Sequence, residues 1–64
     1  MIESIDYGTQ TIEFEVQRKK ACKNTYITVE RDIGVVVKTN VDISIEELKT
    51  LVKSKAKWIL KKFE

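Results

Sequence analysis

Lysine is the residue type in this chain whose spacing could do chemistry, because ammonium groups in a row can bind anions. Four lysines recur at every fourth position in the last third of the sequence, which places them on one side of a helix. A second basic group lies nearer the start, and Tyr26 follows it as a surface on which a base could stack. Such groups are more often typical of a solvated surface. The candidate contacts to an anionic partner are Arg18, Lys19, Lys20, Lys23, Lys49, Lys53, Lys57 and Lys61.

The net charge is +2, but the charges are unevenly distributed along the chain. The first 17 residues hold four acids and no base, so all twelve bases begin at Arg18. Such a polarity can steer an anionic partner, and it also suits a merely soluble surface.

Side chains for acid–base or covalent chemistry are few. The chain has no histidine and one cysteine, Cys22, whose lysine neighbours supply no base that could relay a proton. Glu13 and Glu15 fall on one side of a candidate strand, which is more typical of its wet face. One thiol without histidine partners is also too little for a zinc site. We therefore expect no catalytic, cofactor or metal site, and no enzymatic activity from this chain alone.

Length and composition predict one small folded domain spanning residues 1–64, with 42% hydrophobic and 34% charged residues. No apolar run approaches the roughly 20 residues that a membrane span needs. Cys22 cannot form an internal disulfide, and no charged-then-apolar leader opens the sequence. A cytoplasmic location is the expectation that follows.

Period-two alternation predicts strands in the first two thirds of the chain. Ile12, Phe14 and Val16 alternate with polar residues, as in a strand with one dry face. Gly8 suits a three-residue hairpin connection before this strand, and Gly34 suits a tight turn that closes a second hairpin. Three valines follow Gly34, a pattern typical of a strand that is covered on one face and partly shielded on the other.

The last third predicts an amphipathic helix. Ser44 and Glu47 have the spacing of a capping box, with Ile43 and Leu48 as the hydrophobic staple around it. Trp58 lies beside the apolar stripe, so we expect it in the core or along its rim. The predicted stripe consists of Ile45, Leu48, Val52, Ala56, Ile59 and Phe63.

A sheet and a helix with one apolar face each must bury those faces against each other. The predicted fold is α+β, a four-stranded, mostly antiparallel sheet of two hairpins packed by one C-terminal helix, in the order ββββα. The strands are expected at about 2–7, 11–18, 25–30 and 35–39, and the helix at about 45–63.

From Arg18 onward, a basic stretch, a strand, a glycine turn and a valine-rich strand lead to the helix start at Ser44, and then to the string Lys-Ala-Lys-Trp-Ile-Leu-Lys-Lys at 55–62. This order of features resembles the amino-terminal portion of the YgjP-like zinc metallopeptidases. The resemblance covers about two thirds of the chain. In that family a separate catalytic domain binds zinc through a His-Glu-x-x-His helix.

The resemblance implies a non-catalytic domain that supports, or presents substrate to, a zinc site outside this chain. Its partners would be a downstream catalytic domain or a peptide substrate, and a small sheet could hold a peptide by strand addition. The alternative is a small stand-alone domain that binds nucleic acid or protein through its lysine-rich surfaces.

Overall fold

The computed structural model describes residues 1–63 and contains four strands followed by two helices. This order confirms the α+β fold class, and every strand begins and ends within one residue of its expected position. The elements are β1 (Ile2–Tyr7), β2 (Gln10–Arg18), β3 (Tyr26–Glu30), β4 (Gly34–Thr39), α1 (Ile45–Ser54) and α2 (Ala56–Lys62).

The four strands form one sheet in the order β1-β2-β4-β3. The outer pairs are the two expected antiparallel hairpins, whereas β2 and β4 run parallel to each other at the centre. The sheet is therefore mostly antiparallel, as predicted. Strands β1 and β3 are its two edges.

Both hairpin turns use a glycine in the left-handed region. Gly8 has a φ of 63° and Gly34 a φ of 95°, conformations that a residue with a Cβ rarely adopts. The first connection is shorter than predicted, because Tyr7 pairs directly with Gln10. It contains two residues, with the glycine first, as in a type II′ turn.

One face of the sheet packs against the helices and forms the core. Phe14 pairs with Val35, and Val16 pairs with Val37, so the dry faces of β2 and β4 are continuous. Four helix residues of the predicted stripe complete this core. The buried cluster consists of Ile5, Ile12, Phe14, Val16, Val35, Val37, Leu48, Val52, Ala56 and Ile59.

The start of α1 is capped as the sequence indicates. The Ser44 hydroxyl accepts a hydrogen bond from the backbone N–H of Glu47 at 3.2 Å. Ile43 is half-buried against the core cluster that contains Leu48, which is the expected staple contact. The cap fixes where the helix begins, and the staple fixes how the chain enters it.

The single expected helix is divided at Lys55. The Leu51 carbonyl accepts from both the Lys55 N–H, at 3.2 Å, and the Ser54 hydroxyl, at 2.7 Å. A serine hydroxyl that bonds back to the preceding turn competes with the helical pattern and often bends a helix. Helical bonding resumes at once, because Ile59 N–H donates to the Lys55 carbonyl at 2.9 Å.

The predicted apolar stripe is wrong at its end. Phe63 is exposed and lies just after α2, whereas Ile59 is the last fully buried helix residue. The helical segment thus extends beyond the part of the sheet against which it packs.

The opposite face of the sheet is open and mostly polar. Glu13 is exposed and Glu15 half-buried there, which confirms that these carboxylates mark a wet face. Val36 also belongs to this face, yet it is only 5% exposed, between Glu15 on β2 and Thr28 on β3. The valine run is therefore shielded on both faces, more fully than the predicted partial shielding of its second face, because β4 is a central strand.

Candidate functional site

A groove lies between the edge strand β3 and one flank of the helices. Thr25 and Ile27 form its strand side, and Leu51, Lys55 and Trp58 form its helix side. Its volume is about 340 Å³, at the lower end of the range for small-molecule sites. We call it the β3 groove.

Trp58 is the largest side chain in the β3 groove. It is 45% exposed and stands beside Ile27 and Leu51, so of the two places predicted for it, core or rim, it takes the rim. Position decides this outcome, because its helix neighbour Ile59 takes the core-facing direction and is fully buried. A large aromatic surface is left in contact with solvent.

The charged residue that lines the β3 groove is positive. Lys55 lines it, and the Lys62 Nζ lies 5.4 Å from the centroid of the Trp58 ring. An ammonium at this distance over an indole is favourable. None of the five lining residues is acidic.

The predicted lysine stripe lies on the other flank of the helices, beside β1. Lys49 forms an ion pair with Glu3, with 3.5 Å between Nζ and Oε1. Lys53 lines a shallow depression with Asp6, while Lys57 and Lys61 line another with Tyr7. We call this surface the β1 flank.

The second predicted basic group is divided between a structural contact and an exposed loop. The Arg18 Nη1 donates to the backbone carbonyls of Asn40, at 3.2 Å, and of Ile43. Asn40 in turn donates through Nδ2 to the carbonyls of Lys20, at 3.2 Å, and Cys22, at 2.8 Å. These bonds fasten the loop after β2 to the loop before α1.

The lysines of that loop point to solvent. Lys19, Lys20 and Lys23 are exposed at the ends of β2 and β4, where the Lys19 N–H donates to the Thr39 carbonyl at 2.9 Å. The stripe at Lys49–Lys61 instead runs along the edge at β1. The structure thus places seven of the eight predicted anion contacts on two surfaces and Arg18 in a structural contact, and whether either surface binds an anion stays a prediction.

The sequence alone does not indicate the β3 groove. Leu51 and Trp58 stand at the border of the predicted apolar stripe, and Lys55 has no predicted role. Their spacing of four and three residues does place them on one helix flank. What the sequence does not show is which strand this helix flank lies against.

The other candidate chemistry is sparse in the described part of the chain. Cys22 is a half-buried free thiol. Among residues 1–63 there is no cluster of three or more acidic or cysteine side chains placed to hold a metal. Within the same residues, neither helix has the length and apolar character needed to cross a membrane.

Comparison with known proteins gives no assignment: no family model, no curated protein and no solved structure matches the chain.

Proposed function

We propose that this chain is a non-catalytic binding domain that corresponds to the amino-terminal portion of a YgjP-like zinc metallopeptidase. In this role it supports a zinc site outside the chain or presents a polypeptide substrate to it.

The observation that carries the proposal is the way the string at 55–62 divides between core and surface. Ala56 and Ile59 are fully buried, so packing alone accounts for them. Trp58 is not needed for the core, yet it presents a large aromatic surface beside Lys55 and Lys62. Tryptophan is enriched among the few residues that contribute most of the binding energy at protein interfaces.

The sheet supports the same role. Strand β3 has a strand neighbour on one side only, so its outer backbone groups can pair with an added strand. A domain of this kind needs no catalytic group of its own, since the chemistry takes place at the zinc site.

The coding sequence that follows Glu64 tests this proposal. A downstream His-Glu-x-x-His helix with a further histidine is the expected result, because that motif supplies zinc ligands and a general base. A stop codon directly after Glu64 would contradict the proposal and favour a stand-alone domain.

A second candidate function is a stand-alone domain that binds nucleic acid or protein through the β1 flank. Lys53, Lys57 and Lys61 are exposed on that flank, which favours this function. One charge of the stripe is already compensated, because Lys49 pairs with Glu3.

Polarisation titrations with labelled single-stranded and duplex oligonucleotides at low salt test the second function. Binding that weakens steeply as salt rises would support it. The triple variant K53Q/K57Q/K61Q should then lose most of the affinity, whereas the control K38Q, on the open face of the sheet, should keep it. Flat titrations at low salt would eliminate nucleic acid as the partner.

We also infer a cytoplasmic location. The single cysteine, Cys22, is a free thiol, and free thiols persist in a reducing compartment. Fractionation of cells that produce the protein should place it with the cytoplasmic fraction, and recovery in a secreted fraction would contradict this.

A further inference from the structure

The edge strand β3 lacks the usual protection against pairing. Natural edge strands are commonly guarded by lysine, proline or a bulge. The β3 sequence Tyr-Ile-Thr-Val-Glu has neither lysine nor proline, and its pairing with β4 is unbroken over all five residues. Its only charged residue, Glu30, stands at its end. A further strand could therefore pair along it without meeting a charge in the middle.

The β3 groove provides an apolar binding surface next to this edge. Ile27 and Leu51 are half-buried, and Trp58 stands opposite them with nearly half of its surface exposed. An extended chain presents alternate side chains to the same side. A peptide paired with β3 would therefore direct every second side chain toward the helix flank, where one apolar group could contact Trp58.

The positive charges beside the groove favour an acidic partner. Lys55 lines the groove, the Lys62 Nζ lies over the Trp58 ring, and no lining residue is acidic. A carboxylate next to the apolar side chain of the peptide would find an ammonium partner, whereas a basic side chain would be repelled.

We propose that the β3 groove binds an extended segment of a partner protein as a fifth strand, with an apolar side chain against Trp58 and a carboxylate beside Lys55. This rests on the proposed role as a binding domain and specifies the chemistry of what is bound. The partner is a polypeptide with alternating acidic and apolar residues.

Fluorescence of Trp58 tests the proposal directly, because it is the only tryptophan in the chain and it lines the groove. The probe is an acetylated, amidated eight-residue peptide in which glutamate alternates with valine and leucine. We expect a saturable change in the Trp58 emission. A peptide with lysine in place of glutamate should bind at least tenfold more weakly. A peptide with proline at alternate positions should not bind, since proline lacks the N–H that a ladder needs.

Matched charge reversals locate the carboxylate. The variant K55E should weaken binding of the glutamate peptide at least tenfold and strengthen binding of the lysine peptide. Its control, K57E, changes the same charge on the β1 flank and should alter neither affinity by more than about twofold, because Lys57 does not line the groove and salt screens exposed charges. Far-UV circular dichroism of both variants checks that they are folded.

Three results would overturn the proposal. One is an emission unchanged by all three peptides up to their solubility limit, and another is equal weakening by K55E and K57E. The third is stronger saturation by a single-stranded oligonucleotide than by the glutamate peptide, which would make the groove a nucleic-acid surface. None of these depends on the sequence after Glu64, so this proposal and the zinc-peptidase assignment can fail separately.

Discussion

The two edges of the sheet differ in what the helices place beside them. At β1 the neighbouring flank is charged, with Lys49 paired to Glu3 and Lys53 beside Asp6. At β3 the neighbouring flank is largely apolar, with Leu51 and Trp58 forming a groove. The two helices thus place charged residues beside the β1 edge, whereas the β3 edge stays available for pairing with an added strand.

The difference arises from helix periodicity. Four helix residues face the core and are fully or almost fully buried. We call this row of residues the seam, and it consists of Leu48, Val52, Ala56 and Ile59. Residues one position after Leu48, Val52 and Ala56, such as Lys49, fall on the β1 flank. Residues on the other side of the seam, such as Leu51, fall on the β3 flank. A single-residue shift in the pattern would turn the helix by about 100° and bring the lysine stripe toward the core, so the position of the buried residues determines which flank lies beside which edge.

A substitution in the seam should have the largest effect on the stability of the fold. Ile59 is fully buried, and I59A should destabilise the fold by about 2 to 5 kcal/mol through lost transfer energy and a cavity. Urea unfolding followed by circular dichroism measures this. The control I33A alters a side chain that is 68% exposed in the β3–β4 turn and should change stability by less than about 0.5 kcal/mol. Equal midpoints for the two variants would contradict the assigned core.

Truncation of Trp58, the aromatic side chain of the β3 groove, should have a smaller effect on stability. Full burial of a large apolar side chain contributes about 1.5 to 3 kcal/mol, and Trp58 is 45% exposed, so W58A should cost about 1 kcal/mol. The variant should fold but lose peptide binding at β3. Urea unfolding gives the stability, and calorimetry with the glutamate peptide gives the binding. A loss above about 3 kcal/mol would place the indole in the core and remove the contrast between the flanks.

The ion pair at the guarded edge should contribute least. Lys49 and Glu3 are partly exposed, and exposed pairs typically contribute about 0.2 to 1 kcal/mol. A double-mutant cycle of K49A and E3A, measured by urea unfolding, should give a coupling in this range that shrinks as salt is raised. A coupling that does not respond to salt would contradict a solvent-screened pair.

The local elements of this fold could be predicted from the sequence. Alternation around Phe14 specifies β2, the glycines specify two turns, and the Ser44 cap specifies the first residue of α1. Each signal lies within a few residues of the structure that it predicts. The division at Lys55 was missed because a hydroxyl that competes for the Leu51 carbonyl leaves no mark on apolar periodicity.

The order of the strands and the groove depend on contacts between distant residues. Alternation shows which face of a strand is dry but not which strand lies beside it, so the parallel pairing of β2 with β4 was not predicted. The only local signal was the run at Val35–Val37, shielded on both faces. Trp58 stands at the border of the apolar stripe, where the width of the sheet beneath decides between core and rim. That width is set by β3, whose position the sequence alone did not give.

The most direct test of the contrast between the edges is an amide NMR map of the isotope-labelled chain titrated with the glutamate peptide. The account predicts shifts that concentrate in Thr25 and β3 and at Leu51, Lys55 and the Trp58 indole N–H. The amides of β1 should stay within error of their free positions. Shifts of equal size along β1, or shifts confined to Lys53, Lys57 and Lys61, would contradict the claim that only the β3 edge is open to a partner strand.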